Sequence, residues 1–176
     1  MKYYAVIDTN VIVSYFLTRN LSSPIIRLVE AIRSGLLIPM YNQEIIDEYK
    51  DVLSRDKFNI NPVDARALID KIKQAGIDCD KSPVDYIFPD QDDAVFYEVT
   101  MSRSDSYLIT GNLKHFPNSR RVVSPSDMMH IIEFGELQNG ILSDIESIEY
   151  LTVSLEEINS IINEYRAQRA KSSSIR

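Results

Sequence analysis

Short apolar runs recur between longer amphipathic stretches: YYAVID at residues 3–8, LLIPMY at 36–41, YLIT at 107–110 and RRVVS at 120–124. Each is too brief for a helix and dense enough for a strand buried on both faces. Strands of this kind alternating with helices specify an α/β fold with a mainly parallel sheet. The spacing predicts helices at about 10–17, 24–34, 43–53, 62–75 and 92–102.

The punctuation supports these elements. Asn10 is placed as the N-cap of the first helix, Ser23 and Pro24 open the second, and Gly35 stops it. Asn42 and Asn61–Pro62 open the next two, and Gly76 ends the latter. A short strand is expected near Ile77, then an acidic loop to residue 91. SPSDMMHIIEFG closes this part as a short helix ending at Gly135.

A chain of 176 residues suits one domain with an extension, here 1–135 followed by 136–176. In the extension, a short strand is expected at 150–153. Ser154 and Glu157 then form a capping box for an amphipathic helix over about 154–170. Its stripe of Leu155, Ile158, Ile161, Ile162 and Tyr165 must bury against its own domain, a second copy or another protein. One cysteine, Cys79, excludes an internal disulfide framework. No signal peptide or membrane-spanning run is evident, so a cytoplasmic protein is expected.

In parallel α/β sheets, working residues gather beyond the carboxyl ends of the strands. Asp8 stands at such an end, and so do Thr110 and Asn112. The net charge of −7 argues against a simple basic grip on nucleic acid. Between Asp78 and Glu98 there are seven acids against one base, Lys81. Such a cluster repels phosphate unless a cation sits within it.

Asp8, Glu48, Asp93 and Asn112 are all oxygen donors, the type hard cations such as Mg²⁺ or Mn²⁺ select. Converging carboxylates would repel one another without an ion. Each also has a plainer role available. Asp8 can cap a helix, and Glu48 shares a solvated helix face with Glu44. Asp90, Asp92 and Asp93 favour a helix N-terminus, and Asn112 suits a turn.

Four stretches carry a resemblance: VIDTNVIVSYF, EIIDEYKDVLSR, PDQDDAVFYEV and YLITGNLKHFP, with VVSPSDMM after them. Together they resemble the PIN domain family (PilT N-terminus), in particular the VapC-like toxins of toxin–antitoxin pairs. The resemblance covers roughly residues 1–135 and implies a three-layer α/β/α fold. It also implies a Mg²⁺- or Mn²⁺-dependent ribonuclease that hydrolyses RNA phosphodiester bonds. Asp8, Glu48 and Asp93 then match the three acidic ligands, with Glu44 as the alternative second acid and Asp90 or Asp92 as helpers. Asn112 stands where many relatives carry a fourth aspartate, so its amide offers an oxygen without charge. Thr110, Lys114 and His115 are implied substrate contacts, and Thr9 is a hydroxyl near the same centre. Arg19, Arg103, Arg120 and Arg121 are further unranked candidates. The implied partners are RNA, an antitoxin protein and a second copy in a homodimer.

Two other readings compete. A non-catalytic binding module would keep the acids for metal or ion balance without cleaving RNA. A phosphotransfer domain of receiver or haloacid-dehalogenase type also places an aspartate after the first strand. The latter normally has a second aspartate two residues on, where this chain has Asn10, and the former needs a strand-end lysine that YLITGN lacks.

Overall fold

The computed structural model describes residues 1–149, with 139–149 as backbone. The strand at 150–153 and the helix at 154–170 lie outside these residues. The chain divides into two compact units, Met1–Glu136 and Leu137–Arg176.

Five parallel strands form one sheet in the order β3-β2-β1-β4-β5, flanked by α-helices. They are β1 (Tyr3–Ile7), β2 (Leu37–Tyr41), β3 (Ile77–Asp78), β4 (Ser106–Ile109) and β5 (Val122–Val123). The helices are α1 (Thr9–Leu17), α2 (Pro24–Arg33), α3 (Gln43–Leu53), α4 (Pro62–Ala75), α5 (Ala94–Met101) and α6 (Pro125–Glu149). The chain steps outward from β1 through β2 to β3, then returns to lay β4 on the other side of β1. That reversal opens a crevice at the carboxyl ends of β1 and β4, where such sheets bind ligands. The register pairs Ile7 with Ile109, so Asp8 and Thr110 emerge side by side.

The core follows from the apolar runs. Ala5, Val6, Ile7, Leu37, Met40, Leu108 and Ile109 are almost wholly buried between the helical layers. The helices contribute matching stripes, among them Leu28 and Ile32 of α2 and Ile45, Ile46 and Tyr49 of α3. The buried Tyr49 hydroxyl donates to the Ile7 carbonyl and so ties α3 to the end of β1.

Two expectations are corrected. Asp8, not Asn10, caps α1: its carboxylate accepts from the Asn10 backbone N–H at 3.1 Å, and the helix starts at Thr9. The acid that ends the strand is already in position to satisfy an orphan donor, which frees the Asn10 side chain. Nor does Gly135 end the last helix, which runs on to Glu149. Gly135 lies against the Tyr3 ring, and any Cβ there would strike the Tyr3 hydroxyl. The glycine marks a close approach rather than a stop.

Arg121 has a structural role that its sequence position did not reveal. Its guanidinium donates to the backbone oxygens of Thr100, Arg103 and Ser106, the first at 2.5 Å and the last at 2.9 Å. Those carbonyls belong to the end of α5 and the turn into β4. A fixed fork of N–H donors suits such a cluster of acceptors.

Candidate active site

Asp8 is the centre of the crevice and is only 5% exposed. Its Oδ2 accepts from the Thr110 hydroxyl at 2.6 Å and from Asn10 Nδ2 at 2.5 Å. Asn10 also accepts the Gly111 N–H on its Oδ1 at 2.9 Å, so it bridges the ends of β1 and β4. A Cβ on Gly111 would come within 3.0 Å of that oxygen and crowd the bridge. Burial raises the Asp8 pKa above the ordinary carboxylate value; the Thr110 and Asn10 hydrogen bonds pull the other way, and the Asp93 charge adds to the rise.

Glu48 comes from α3, one residue before the anchored Tyr49, and accepts from the Thr9 hydroxyl at 2.6 Å. Burial raises its pKa too; the Thr9 bond opposes the rise, and the charges of Asp8, Asp93 and Asp92 reinforce it. Asp93 stands at the start of α5 and pairs with His115 Nδ1 at 2.7 Å. Its pKa is raised by burial, lowered by His115, and raised again by Asp90 and Asp92. The charges of Asp8 and Asp93 thus both raise the Glu48 pKa, and that of Asp93 raises the Asp8 pKa.

The neighbouring acids sort out by geometry. Asp90 accepts from the Asp92 N–H and caps the single turn before α5, so one of the three acids serves as a cap. Glu44 is held by Lys81 at 2.9 Å at the outer rim, whereas Glu48 faces inward to Thr9. Glu44, Glu48, Asp90, Asp92 and Asp93 line one open cleft of about 710 Å³.

The remaining candidates have definite places. Thr110 is fully buried behind Asp8, so its hydroxyl supports that carboxylate from within. Asn112 joins the network through its backbone N–H, which donates to Thr110 Oγ1 at 2.9 Å. Among the described residues its side chain makes no hydrogen bond to the three acids. Lys114 is exposed on the turn that presents His115, and it lines a small separate hollow with Phe116 and Val122. Arg103 lies over the Tyr4 ring and pairs with Asp105, and Arg121 is committed to the carbonyls described above. Arg19 and Arg120 are exposed.

Two features escaped the sequence analysis. One is the Asn10 bridge; the chain separation of about a hundred residues between its partners hides it. The other is an aromatic cluster in which Phe88 meets Tyr86, Tyr97 and Phe116 edge to face at 4.8 to 6.4 Å. It fastens the acidic loop to α5 and to the turn carrying His115. The closely spaced aromatics of DYIFPD were the available signal.

The candidate ligands are chemically suited to a hard divalent cation, since the three carboxylates offer only oxygen. As the side chains stand, no three acidic, histidine or cysteine groups among the described residues close into a ready ligand shell. Both oxygens of Asp8 accept hydrogen bonds, Oδ1 from the Asn10 backbone N–H and Oδ2 from Thr110 and the Asn10 side chain, and one oxygen each of Glu48 and Asp93 is held by Thr9 and His115. Mg²⁺ is commonly held by only one or two carboxylates with water completing the shell, so the arrangement fits that looser mode.

A family model described as the PIN domain matches residues 4–114, more than half of the chain. No curated protein and no solved structure gives a significant match.

Proposed function

The chain belongs to the PIN domain family, and we propose that it is a divalent-cation-dependent endoribonuclease acting as the toxin of a toxin–antitoxin pair. The observation that carries this reading is geometric: Glu48 and Asp93 line one acidic cleft, and Glu48 is hydrogen-bonded to Thr9, the chain neighbour of the buried Asp8 at the end of β1. A protein that spends stability to hold like charges together needs a compensating cation or a proton.

Asp8, Glu48 and Asp93 would hold Mg²⁺ or Mn²⁺, with the Asn112 amide oxygen as an uncharged supplement. When bound, such an ion supplies positive charge at the phosphate and makes water a competent nucleophile at neutral pH. The protein's own residues prepare for that chemistry. Thr110 and Asn10 fix the Asp8 carboxylate in one orientation, and Thr9 does the same for Glu48. His115 holds Asp93 from the side of the turn, and with Lys114 it offers cationic or donor groups to RNA at the rim. Fixing ligating carboxylates through such partners commonly matters by about 10- to 100-fold in affinity or activity.

The second reading, a binding module without cleavage, is favoured by one observation: the absence of a closed three-ligand set among the described residues. The same experiment separates the two. Purified protein is incubated with single-stranded RNA and Mn²⁺, beside the Asp8→Ala and Asp93→Ala variants checked for folding by circular dichroism. Cleavage by the parent with a loss of at least about 100-fold in both variants is expected. Equal cleavage by the Asp8→Ala protein would reject the ribonuclease. Mn²⁺ binding by calorimetry without cleavage would favour the module.

An antitoxin and a second copy of the chain are the proposed partners. No helix among the described residues is long and apolar enough to cross a membrane.

A further inference from the structure

Tyr49 touches all three elements that carry the acids. It follows Glu48 on α3, and it is only 1% exposed. Its hydroxyl donates to the carbonyl of Ile7, the residue before Asp8. Backbone groups alternate sides along a strand, and the Tyr3 N–H donates to Leu36 just before β2, so Ile7 also directs its carbonyl to the β2 side. Pairing with β2 runs only to Ala5 opposite Pro39. The Ile7 carbonyl thus lies past the ladder, and the Tyr49 hydroxyl supplies the donor that a buried carbonyl requires. The Tyr49 ring meets the Phe96 ring at a centroid distance of 6.5 Å and an interplanar angle of 35°. Phe96 is equally buried and lies on α5 three residues after Asp93, about one turn along the helix that Asp93 opens.

We propose that Tyr49 is a positioning residue that sets the spacing of Asp8, Glu48 and Asp93, through its hydroxyl on Ile7 and its ring on Phe96. The proposal rests on the ribonuclease reading of these three acids and deepens it. Each carboxylate is steadied by its own partners: Asp8 by Asn10 and Thr110, Glu48 by Thr9, Asp93 by His115. None of those bonds joins all three stretches of chain. Tyr49 does so from the packed side, where a close-packed core transmits small displacements rather than absorbing them. Ligands drawn from three elements must hold their geometry to within about 0.5 Å to share one ion. A purely apolar role would be met by phenylalanine. The hydroxyl, placed between the backbones that carry Asp8 and Glu48, is what packing alone does not need.

Tyr49→Phe keeps the ring and removes only that hydroxyl. Metal-free full-length protein is titrated with Mn²⁺ by calorimetry, and cleavage of a single-stranded RNA is followed with Mn²⁺ saturating for each variant. All measurements are made below the unfolding transition of every protein compared. Tyr49→Phe should weaken Mn²⁺ affinity about 10-fold and lower kcat by a similar factor, with the KM for RNA within about twofold of wild type. Ile72→Val is the stability control, a core truncation on α4, which lines none of the acidic cleft. It should leave Mn²⁺ affinity and kcat at their wild-type values. If Tyr49→Phe does not fold, Phe96→Leu takes its place and should weaken Mn²⁺ affinity in the same direction. An affinity within about twofold of wild type in the variant measured, or an equal loss in Ile72→Val, would overturn the positioning role. The ribonuclease reading fails separately. A wild-type chain that binds Mn²⁺ without cleaving RNA rejects the nuclease, and the affinity ratio still decides the role of Tyr49. Cleavage with unchanged affinity in Tyr49→Phe keeps the nuclease and rejects the positioning role. A wild-type chain that neither binds Mn²⁺ nor cleaves overturns both.

Discussion

Glu48 shows most simply how function and stability oppose each other in this crevice. One of its oxygens is held by Thr9, in a place where burial and three neighbouring charges resist ionisation. Glu48→Gln retains an acceptor for Thr9 and removes the charge. We therefore expect it to lose Mn²⁺-dependent cleavage while raising Tm by about 2 °C, a shift that corresponds to somewhat under 1 kcal/mol in a chain of this length. Differential scanning fluorimetry beside the RNA assay checks both halves, and a lower Tm would show that the Glu48 charge is already compensated. Asp8 is a less clean probe, because both of its oxygens receive donors that an amide nitrogen would oppose. At this scale the sequence was informative about where the acids stand but silent about what supports them. Asp8 and Asp93 were legible from their strand-end and helix-start positions. Asn10 was not, because its role depends on Gly111, a hundred residues away.

Among the elements, α5 has the most bearing on the proposed site, since Asp93 is its N-cap and its last carbonyls meet the Arg121 clamp. Its last carbonyls would otherwise be half-buried acceptors without donors. Arg121→Met preserves much of the side-chain volume and removes every donor. It should destabilise the fold by about 2–3 kcal/mol, the size expected when several hydrogen bonds to a charged group are lost together. Urea unfolding with an unchanged m-value would measure it, and a loss below about 0.5 kcal/mol would mean that water replaces the guanidinium. Helix starts were legible at this scale because capping is local: Ser23, Asn42 and Asn61 all cap where their neighbours indicate. The helix stop at Gly135 was not, because that glycine answers to Tyr3 at the other end of the chain.

Across the whole molecule, three raised carboxylates set a pH dependence with a definite sign. For Asp8, Glu48 and Asp93 the native pKa lies above the ordinary carboxylate value, so the native state binds more protons than the unfolded state in that window. Their contribution to stability is thus fully present below the unfolded pKa and is lost as pH rises through the native values. Asp47 and Asp105, lowered by Lys50 and Arg103, act in the opposite sense at the surface. Tm measured from pH 4 to 8 should therefore fall less steeply with rising pH in Glu48→Gln than in the wild type. Adding Mn²⁺ at 100 times its Kd should raise the wild-type Tm at pH 7, by the equivalent of about 2.7 kcal/mol. It should do so far less in Asp8→Ala. Equal cation shifts in both proteins would place the ion elsewhere.

What the sequence determined by itself was everything encoded over short spans. Strand identity came from brief apolar runs, helix starts from capping residues, and the parallel α/β class from their alternation. The position of Asp8 at a strand end belongs with these. Tertiary structure alone decided which side of β1 receives β4, and hence that Asp8, Thr110 and Asn10 share one hydrogen-bonded knot. It also decided that Arg121 caps a helix and that Arg55 lines both the acidic cleft and the hollow between α3 and α4. The physical reason is range. Capping and periodicity act within one or two turns of chain, whereas burial, charge repulsion and close approach depend on neighbours that only folding supplies.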